Sequence, residues 1–327
     1  MPSDPAEIKT LLDKLVVVKL NGGLGTTMGC TGPKSVMEVQ GGKTFLDLIV
    51  EQLRALNLAH KVSVPLVLMD SFNTHVDTLK SIEKYRMTAP EVTVLTFLQS
   101  RHPRFDATTL LPLAKTLEGG DAEWYPPGHA DFYQCFSDCG LLEALMKQGK
   151  EIVFLANADN LGALVDLAIL AHMEKTKLDF LMEVTAKTMA DVKGGTLVQT
   201  DHGNIKLLEL AQVPPAHLRD FESVSTFKIF NTNNLWVRMS SIASAAAAGP
   251  AKSLDLIVNK KAYGNGNTLI QLEVAAACCC LAAGPSSAGT SPAAAAAAAG
   301  GAEGVNSASA GLRRPLGGSC CCCCCCC

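Results

Sequence analysis

The chain has 327 residues, 28 basic and 31 acidic side chains and a formal net charge of −3. That length allows one large or two ordinary domains with a sizeable core, and the near-neutral balance excludes a global electrostatic footprint for nucleic acid or an anionic membrane. No run of large aliphatic residues is long enough to span a bilayer, and Met1–Lys14 lacks a charged-then-apolar secretion pattern, so the expected location is cytoplasmic.

In chain order, the β-branched run Leu15–Leu20 reads as a strand and leads into a glycine-rich loop that closes at Lys34 and Ser35. Thr44, with Asp47 three residues on, marks the capped start of a helix. Pro65–Met69 and Val92–Phe97 read as further strands, Leu141–Gln148 as a helix, Ile152–Ala156 as a strand, Val165–Lys175 as a helix and Phe180–Val184 as a strand. Thr196–Trp236 is richer in strands and is expected to add an antiparallel elaboration. Near-continuous apolar strands separated by helices predict an α/β fold with a mostly parallel central sheet and helices on both faces. Ligands of such sheets bind at the carboxyl ends of the strands, so the segments after each strand carry the functional reading.

Composition changes near Ala275. Beyond it the only larger apolar side chains are Leu281, Val305, Leu312 and Leu316, among alanine, glycine, serine and cysteine runs. Residues 1–275 are therefore read as the folded domain, and 276–327 as a low-complexity tail that cannot bury a core and is expected to be disordered. Its composition fits an out-of-frame or intron-derived translation of GC-rich sequence better than a lipidated or metal-binding tail. Of the 14 cysteines, only Cys30, Cys135 and Cys139 precede it. The consecutive cysteines of the tail match neither a disulfide framework nor a metal-ligand spacing.

The loop after the first strand holds five glycines between Gly22 and Gly32. Such a run lets backbone N–H groups close on an anion, and a lysine at its end suits a phosphate clamp better than a merely flexible turn does. Pro33 breaks the ending of a Walker A loop, and it is badly placed for the helix that a dinucleotide fingerprint requires. Gln99 closes the third predicted strand. Pro126-Pro127-Gly128-His129 forms a rigid turn, and Asn157-Ala158-Asp159-Asn160 follows the strand Ile152–Ala156.

The stretch LNGGLGTTMGCTGPKS (20–35) resembles the nucleotide-binding loop of eukaryotic UTP–glucose-1-phosphate uridylyltransferases, the UDP-glucose pyrophosphorylases. The resemblance continues in order through PLVLMDSFNT (65–74), QSRHPR (99–104), EWYPPGHAD (123–131), ANADNLGA (156–163), MEVTAKTMADVKGGTL (182–197), AQVPPAH (211–217), FKIFNTNNLW (227–236) and IVNKK (257–261). It covers roughly residues 10–275. It implies a Rossmann-like nucleotidyltransferase domain that joins UTP to glucose 1-phosphate with Mg²⁺, giving UDP-glucose and pyrophosphate. Because both reactants are polyanions, such catalysis rests on positioning and charge neutralisation rather than on a general base.

Carried onto this chain, the resemblance implies that Leu20, Asn21, Gly22, Gly23, Lys34, Gln99, Gly128 and Asp159 contact the nucleotide. Lys34 is then the catalytic phosphate clamp, and Gln99 reads the uracil edge with an amide that both donates and accepts. Asp159 is the metal candidate. His129, Asn157, Ala158, Glu183, Gly195, Asn231 and Asn233 are expected on the sugar-phosphate side, whereas Trp236 is expected in the core. The family's usual glycine at position 130 is Ala130 here, a methyl group that would strain a backbone of positive φ. The family also continues into a Pro-Val-Lys-Thr-Thr-Ser-Asp-type segment, whose lysine contacts phosphates, and a C-terminal β-helix used in self-association. No lysine follows Lys261 in this chain. Self-association is therefore expected to be lost, and the alternative reading is a catalytically impaired nucleotide-binding remnant that acts through a partner. A relative acting on another sugar phosphate is disfavoured by the glycine loop and by Asn231–Asn234.

Overall fold

The computed structural model describes residues 2–24, 32–115, 120–199, 205–249, 256–263, 267–274, 294–298 and 323–325. Six strands build the body of the central sheet: β1 (Leu15–Leu20), β2 (Leu66–Asp70), β3 (Val94–Leu98), β4 (Ile152–Asn157), β5 (Phe180–Ala186) and β6 (Ile229–Arg238). Their order across the sheet is β5-β6-β4-β1-β2-β3. The four strands β3, β2, β1 and β4 are mutually parallel, and β6 runs antiparallel to both of its neighbours. The expected parallel sheet is present. The antiparallel part of Thr196–Trp236, however, is no peripheral addition, because β6 is wedged inside the sheet between β4 and β5. A separate hairpin, Thr196–Gln199 with Ile205–Leu208, is antiparallel as expected.

Side-chain alternation along the strands separates two apolar layers. Leu15 and Val17 of β1 face one side with Leu66, Leu68, Ile152, Phe154 and Trp236. There they meet Leu46, Ile49, Val50 and Leu53 of the helix Phe45–His60, and Leu170 and Met173 of the helix Leu167–Thr176. Val16 and Val18 face the other side with Val67, Met69, Val153 and Leu155. That side is covered by Phe132, Tyr133 and Phe136 of the helix Phe132–Asp138, by Leu142 and Leu145 of the helix Leu141–Lys147, and by Met239 and Ile242 of the helix Met239–Ala248. Each such fully buried side chain contributes roughly 1.5–3 kcal/mol. Trp236 lies wholly inside, stacked on Phe154 with ring centroids 4.3 Å apart. Its core placement is as expected.

The predicted capping box is formed. The Thr44 hydroxyl accepts from the Asp47 N–H at 3.1 Å, and the Asp47 carboxylate accepts from the Thr44 N–H at 2.9 Å. Two further strands, β7 (Ile257–Tyr263) and β8 (Asn267–Glu273), pair with each other, and β8 also pairs with Phe105–Asp106. β8 ends against the Pro126–Ala130 turn: Val274 N–H donates to Pro127 O at 3.1 Å, and Ala130 N–H to Val274 O at 3.1 Å. Of residues 276–327, predicted to lack order, the description covers two stretches. Ala294–Ala298 runs parallel to β5, and Cys323–Cys325 pairs antiparallel with Ala294–Ala298. Among the described residues no helix is long and apolar enough to cross a membrane.

Candidate active site

Register places the site. Leu20 is level with Met69 on one side and Asn157 on the other, so the carboxyl ends of β2, β1 and β4 finish together. After β1 the chain proceeds outward to β2 and β3, and β4 then joins on the other side of β1. The crevice between the β1 and β4 loops is therefore the switch point at which open α/β sheets bind ligands.

A cleft of about 300 Å³ lies there, lined by Leu20, Asn21, Gly22, Gly23, Lys34, Gln99, Gly128, His129, Asn157, Ala158 and Asp159, with Met69, Pro126 and Glu273 completing it. Eleven residues singled out in the sequence thus converge from the ends of β1, β3 and β4 and from the Pro-Pro-Gly turn. Lys34 and Asp159 form an ion pair across it, Nζ to Oδ2, at 3.0 Å, each side chain about a third exposed. A pair this wet contributes no more than about 1 kcal/mol. Incoming phosphate oxygens can therefore take over the ammonium at little cost. Residues 25–31, including Cys30, lie outside the described residues.

Gly22 packs against the Gln99 amide, and a Cβ built on it would collide with the Gln99 side chain. The glycine is needed for that close approach, and the Ser71 hydroxyl donates to Gly22 O at 2.8 Å to hold it. Gly128 has φ 100°, and a Cβ there would come within 2.7 Å of Val274 O. Its open space is thus filled by the end of β8 as well as facing the cleft. Ala130, by contrast, lies in the 3₁₀ turn His129–Asp131 and is absent from the residues of positive φ, so its methyl group is accommodated without strain. Burial pushes the His129 pKa down to about 4, leaving a neutral imidazole at pH 7 that can donate one hydrogen bond but bring no charge.

Asn21 lines the cleft through its backbone. Its side chain is buried and turned away, with Nδ2 donating to Asp70 Oδ1 at 2.6 Å and to Thr78 Oγ1 at 2.9 Å. Asp70 in turn meets His75 Nδ1 at 2.9 Å. Four other expected contacts do not reach this cleft. Glu183 is buried, and its two oxygens accept from Trp236 Nε1 at 2.7 Å and Asn234 Nδ2 at 3.2 Å. Asn233, at φ 59°, donates from Nδ2 to Asn157 Oδ1 at 2.9 Å, so it supports a cleft residue from behind. Asn231 Oδ1 accepts from the Asn233 N–H at 2.9 Å, and the Asn231 N–H donates to Gly195 O at 2.9 Å. Gly195 itself lies against the Glu209 carboxylate, leaving no room for a Cβ.

Glu209 is not among the residues that the sequence motifs single out. It lines a second cleft of about 370 Å³ with Leu210, Ala211, Ile257, Asn259 and Val274, and this cleft shares Gly128, His129 and Glu273 with the first. Burial raises the Glu209 pKa. The available signal was its place at the end of the second hairpin strand, directly before the 211–217 segment. Glu273 was missed because β8 reaches the turn only through long-range pairing.

Among the described residues no three or more His, Cys, Asp or Glu side chains gather into a metal cluster. A cation in the first cleft would take a carboxylate from Asp159 and its other ligands from phosphate oxygens and water. That is the donor set Mg²⁺ accepts, so the residues present fit it.

The family model described as UTP–glucose-1-phosphate uridylyltransferase matches residues 1–283. A protein of that name from Solanum tuberosum is 54% identical over 276 residues, which are 84% of this chain and 57% of that one. A Dictyostelium discoideum relative, UTP–glucose-1-phosphate uridylyltransferase 2, is 52% identical over 81% of this chain and 52% of its own length. Among solved structures, the UDP-glucose phosphorylase of Trypanosoma brucei matches with a TM-score of 0.75 at 34% identity, over 83% of this chain and 61% of that one. A Leishmania major UDP-glucose pyrophosphorylase variant solved with UDP-glucose matches with a TM-score of 0.75 at 35% identity, over 86% of this chain and 61% of that one. The chain spans little more than half the length of the curated relatives it matches. With the cleft, its residues and these likenesses in agreement, the chain belongs to the UTP–glucose-1-phosphate uridylyltransferase family.

Proposed function

We propose that this chain binds UTP and glucose 1-phosphate and transfers the uridylyl group between them. A glucose 1-phosphate oxygen attacks the α-phosphorus of UTP, the bond to the β-phosphate breaks, and pyrophosphate leaves with UDP-glucose as the product. UDP-glucose is an activated glucosyl donor for polysaccharide synthesis, and the reading assigns the reaction to carbohydrate metabolism in the cytoplasm. The observation that carries the reading is the Lys34–Asp159 pair, set in one cleft with Gly22, Gly23, Gln99 and His129.

Backbone N–H groups at Gly22 and Gly23 approach the nucleotide, with the Gln99 amide beside them for the uracil edge. Lys34 leaves Asp159 for the phosphates, where its charge offsets the negative charge shared by attacking and leaving oxygens. His129 donates a neutral hydrogen bond to the sugar phosphate. Asp159 is the residue that would hold Mg²⁺, and a bound ion would supply further neutralisation of phosphate charge. Glu209, Asn259 and Glu273 in the adjoining cleft offer acceptors and donors for sugar hydroxyls.

The test is Mg²⁺-dependent release of pyrophosphate from UTP in the presence of glucose 1-phosphate. Turnover that needs both substrates supports the proposal. UTP binding without turnover refutes the enzyme and favours a nucleotide-binding protein that acts through a partner.

A further inference from the structure

The geometry points to Glu183 as a positioning residue, a buried carboxylate that sets the orientation of the Asp159 loop through Asn234 and Asn160 without touching substrate. Four hydrogen bonds run in series. Trp236 Nε1 donates to Glu183 Oε1 at 2.7 Å, and Asn234 Nδ2 donates to Glu183 Oε2 at 3.2 Å. Asn160 Nδ2 donates to Asn234 Oδ1 at 3.3 Å, and the Gly162 N–H donates to Asn160 Oδ1 at 3.1 Å.

Both ends of this relay have fixed polarity, because an indole N–H and a backbone N–H can only donate. An amide passes polarity on, receiving at its oxygen and giving from its nitrogen. A chain of amides with donors at both ends therefore contains a clash, unless one member accepts on both sides. Glu183 is that member. The requirement fixes which way Asn234 and Asn160 face, and Asn160 is the residue after Asp159. The loop is also held at its far end, where the buried Lys19 Nζ donates to Ala163 O at 3.2 Å and Gln52 Nε2 donates to Leu161 O at 3.1 Å.

A relay of this polarity entails a rescue that simple burial does not. In Glu183→Gln the glutamine must turn its oxygen to Trp236 and its amide nitrogen to Asn234, which leaves two donors facing each other further along the relay. In Asn234→Asp two carboxylates face each other. The double variant exchanges amide and carboxylate between neighbouring buried positions, keeps the net charge, and restores every donor–acceptor pair.

Each single variant is expected to lower Tm by about 2–4 °C, to shift the amide resonances of Ala158–Gly162, and to weaken Mg²⁺-UTP binding about tenfold. Glu183→Gln/Asn234→Asp is expected to return all three to near the wild-type values. Additive losses in the double variant, or loop resonances unmoved by Glu183→Gln, would overturn the relay. The binding measurement rests on the function proposed above. A wild-type chain that does not bind Mg²⁺-UTP would overturn that function, while Tm and the loop resonances would still decide the relay.

Discussion

Leu20–Gly23 and Asn231–Asn234 both contain asparagine near the site, and they spend their hydrogen-bonding capacity in opposite directions. In Leu20–Gly23 the side chains withdraw or are missing: the Asn21 amide turns inward to Asp70 and Thr78, and the glycines leave backbone facing the cleft. In Asn231–Asn234 the side chains are engaged inside the protein, with Asn157, Glu183, Asn160 and neighbouring backbone. The difference follows from topology. β1 simply ends at the cleft, whereas β6 is wedged between β4 and β5, so most of its polar groups take partners inside the protein, with Asn233 Oδ1 left buried and unpartnered among the described residues. A polar cluster near a site can therefore form its surface or its support, and the strand's place in the sheet decides which.

The sharpest way to break that comparison is to strip charge from the surface region. Lys34→Ala is expected to lower turnover, or UTP affinity where turnover is absent, by about a hundredfold or more. The melting temperature should hardly change, because the lysine is part-exposed and its ion pair contributes little. Steady-state kinetics alongside a melting curve check both halves. Near-normal activity would remove Lys34 from its assigned role.

The turn shared by the two clefts comes next. Gly128→Ala places a Cβ on a residue of φ 100° and against Val274 O, so a stability loss of about 2–3 kcal/mol is expected. Equilibrium denaturation measures it, and an unchanged midpoint would mean that β8 does not dock there.

Smaller again is Asn233→Ala. It removes the amide that supports Asn157 and puts alanine at φ 59°, a loss of about 1–2 kcal/mol of stability. Stability should fall more than ligand affinity does, the reverse of Lys34→Ala. If affinity falls more, the asparagine segment belongs to the surface after all.

The last expected effect is a pH slope, absent at neutral pH. The folded His129 pKa of about 4 lies below its ordinary value of 6.5, so as pH falls the unfolded chain takes up the proton first. The contribution of His129 to stability is therefore complete above about pH 6.5 and declines between there and about pH 4. Melting temperature against pH, compared with His129→Gln, isolates it. The difference between the two curves should grow only within that window.

The cleft side of the site was legible in the sequence because its chemistry is local. A glycine run closed by a lysine, an Asn-Ala-Asp-Asn segment after a strand and a Pro-Pro-Gly-His turn each specify backbone shape within a few residues. The support was harder to read. Glu183, Asn231 and Asn233 have the side chains of a sugar site, and nothing local says that β6 enters the sheet antiparallel and buries them. Glu209 reaches the second cleft, and Glu273 both clefts, only through the packing of a hairpin and of β8 against the Gly128 turn.

By itself, the sequence determined five strands of the central sheet, helices on both of its faces and the capped start of the helix Phe45–His60, and its resemblance to a family pointed to eleven residues of the cleft wall. The elements follow from hydrophobic period and turn chemistry, which act over a few residues. Only the tertiary structure decided which polar groups face the cleft and which lie beneath it. That depends on strand order and long-range register, because a buried polar group takes its meaning from the partner that folding brings to it.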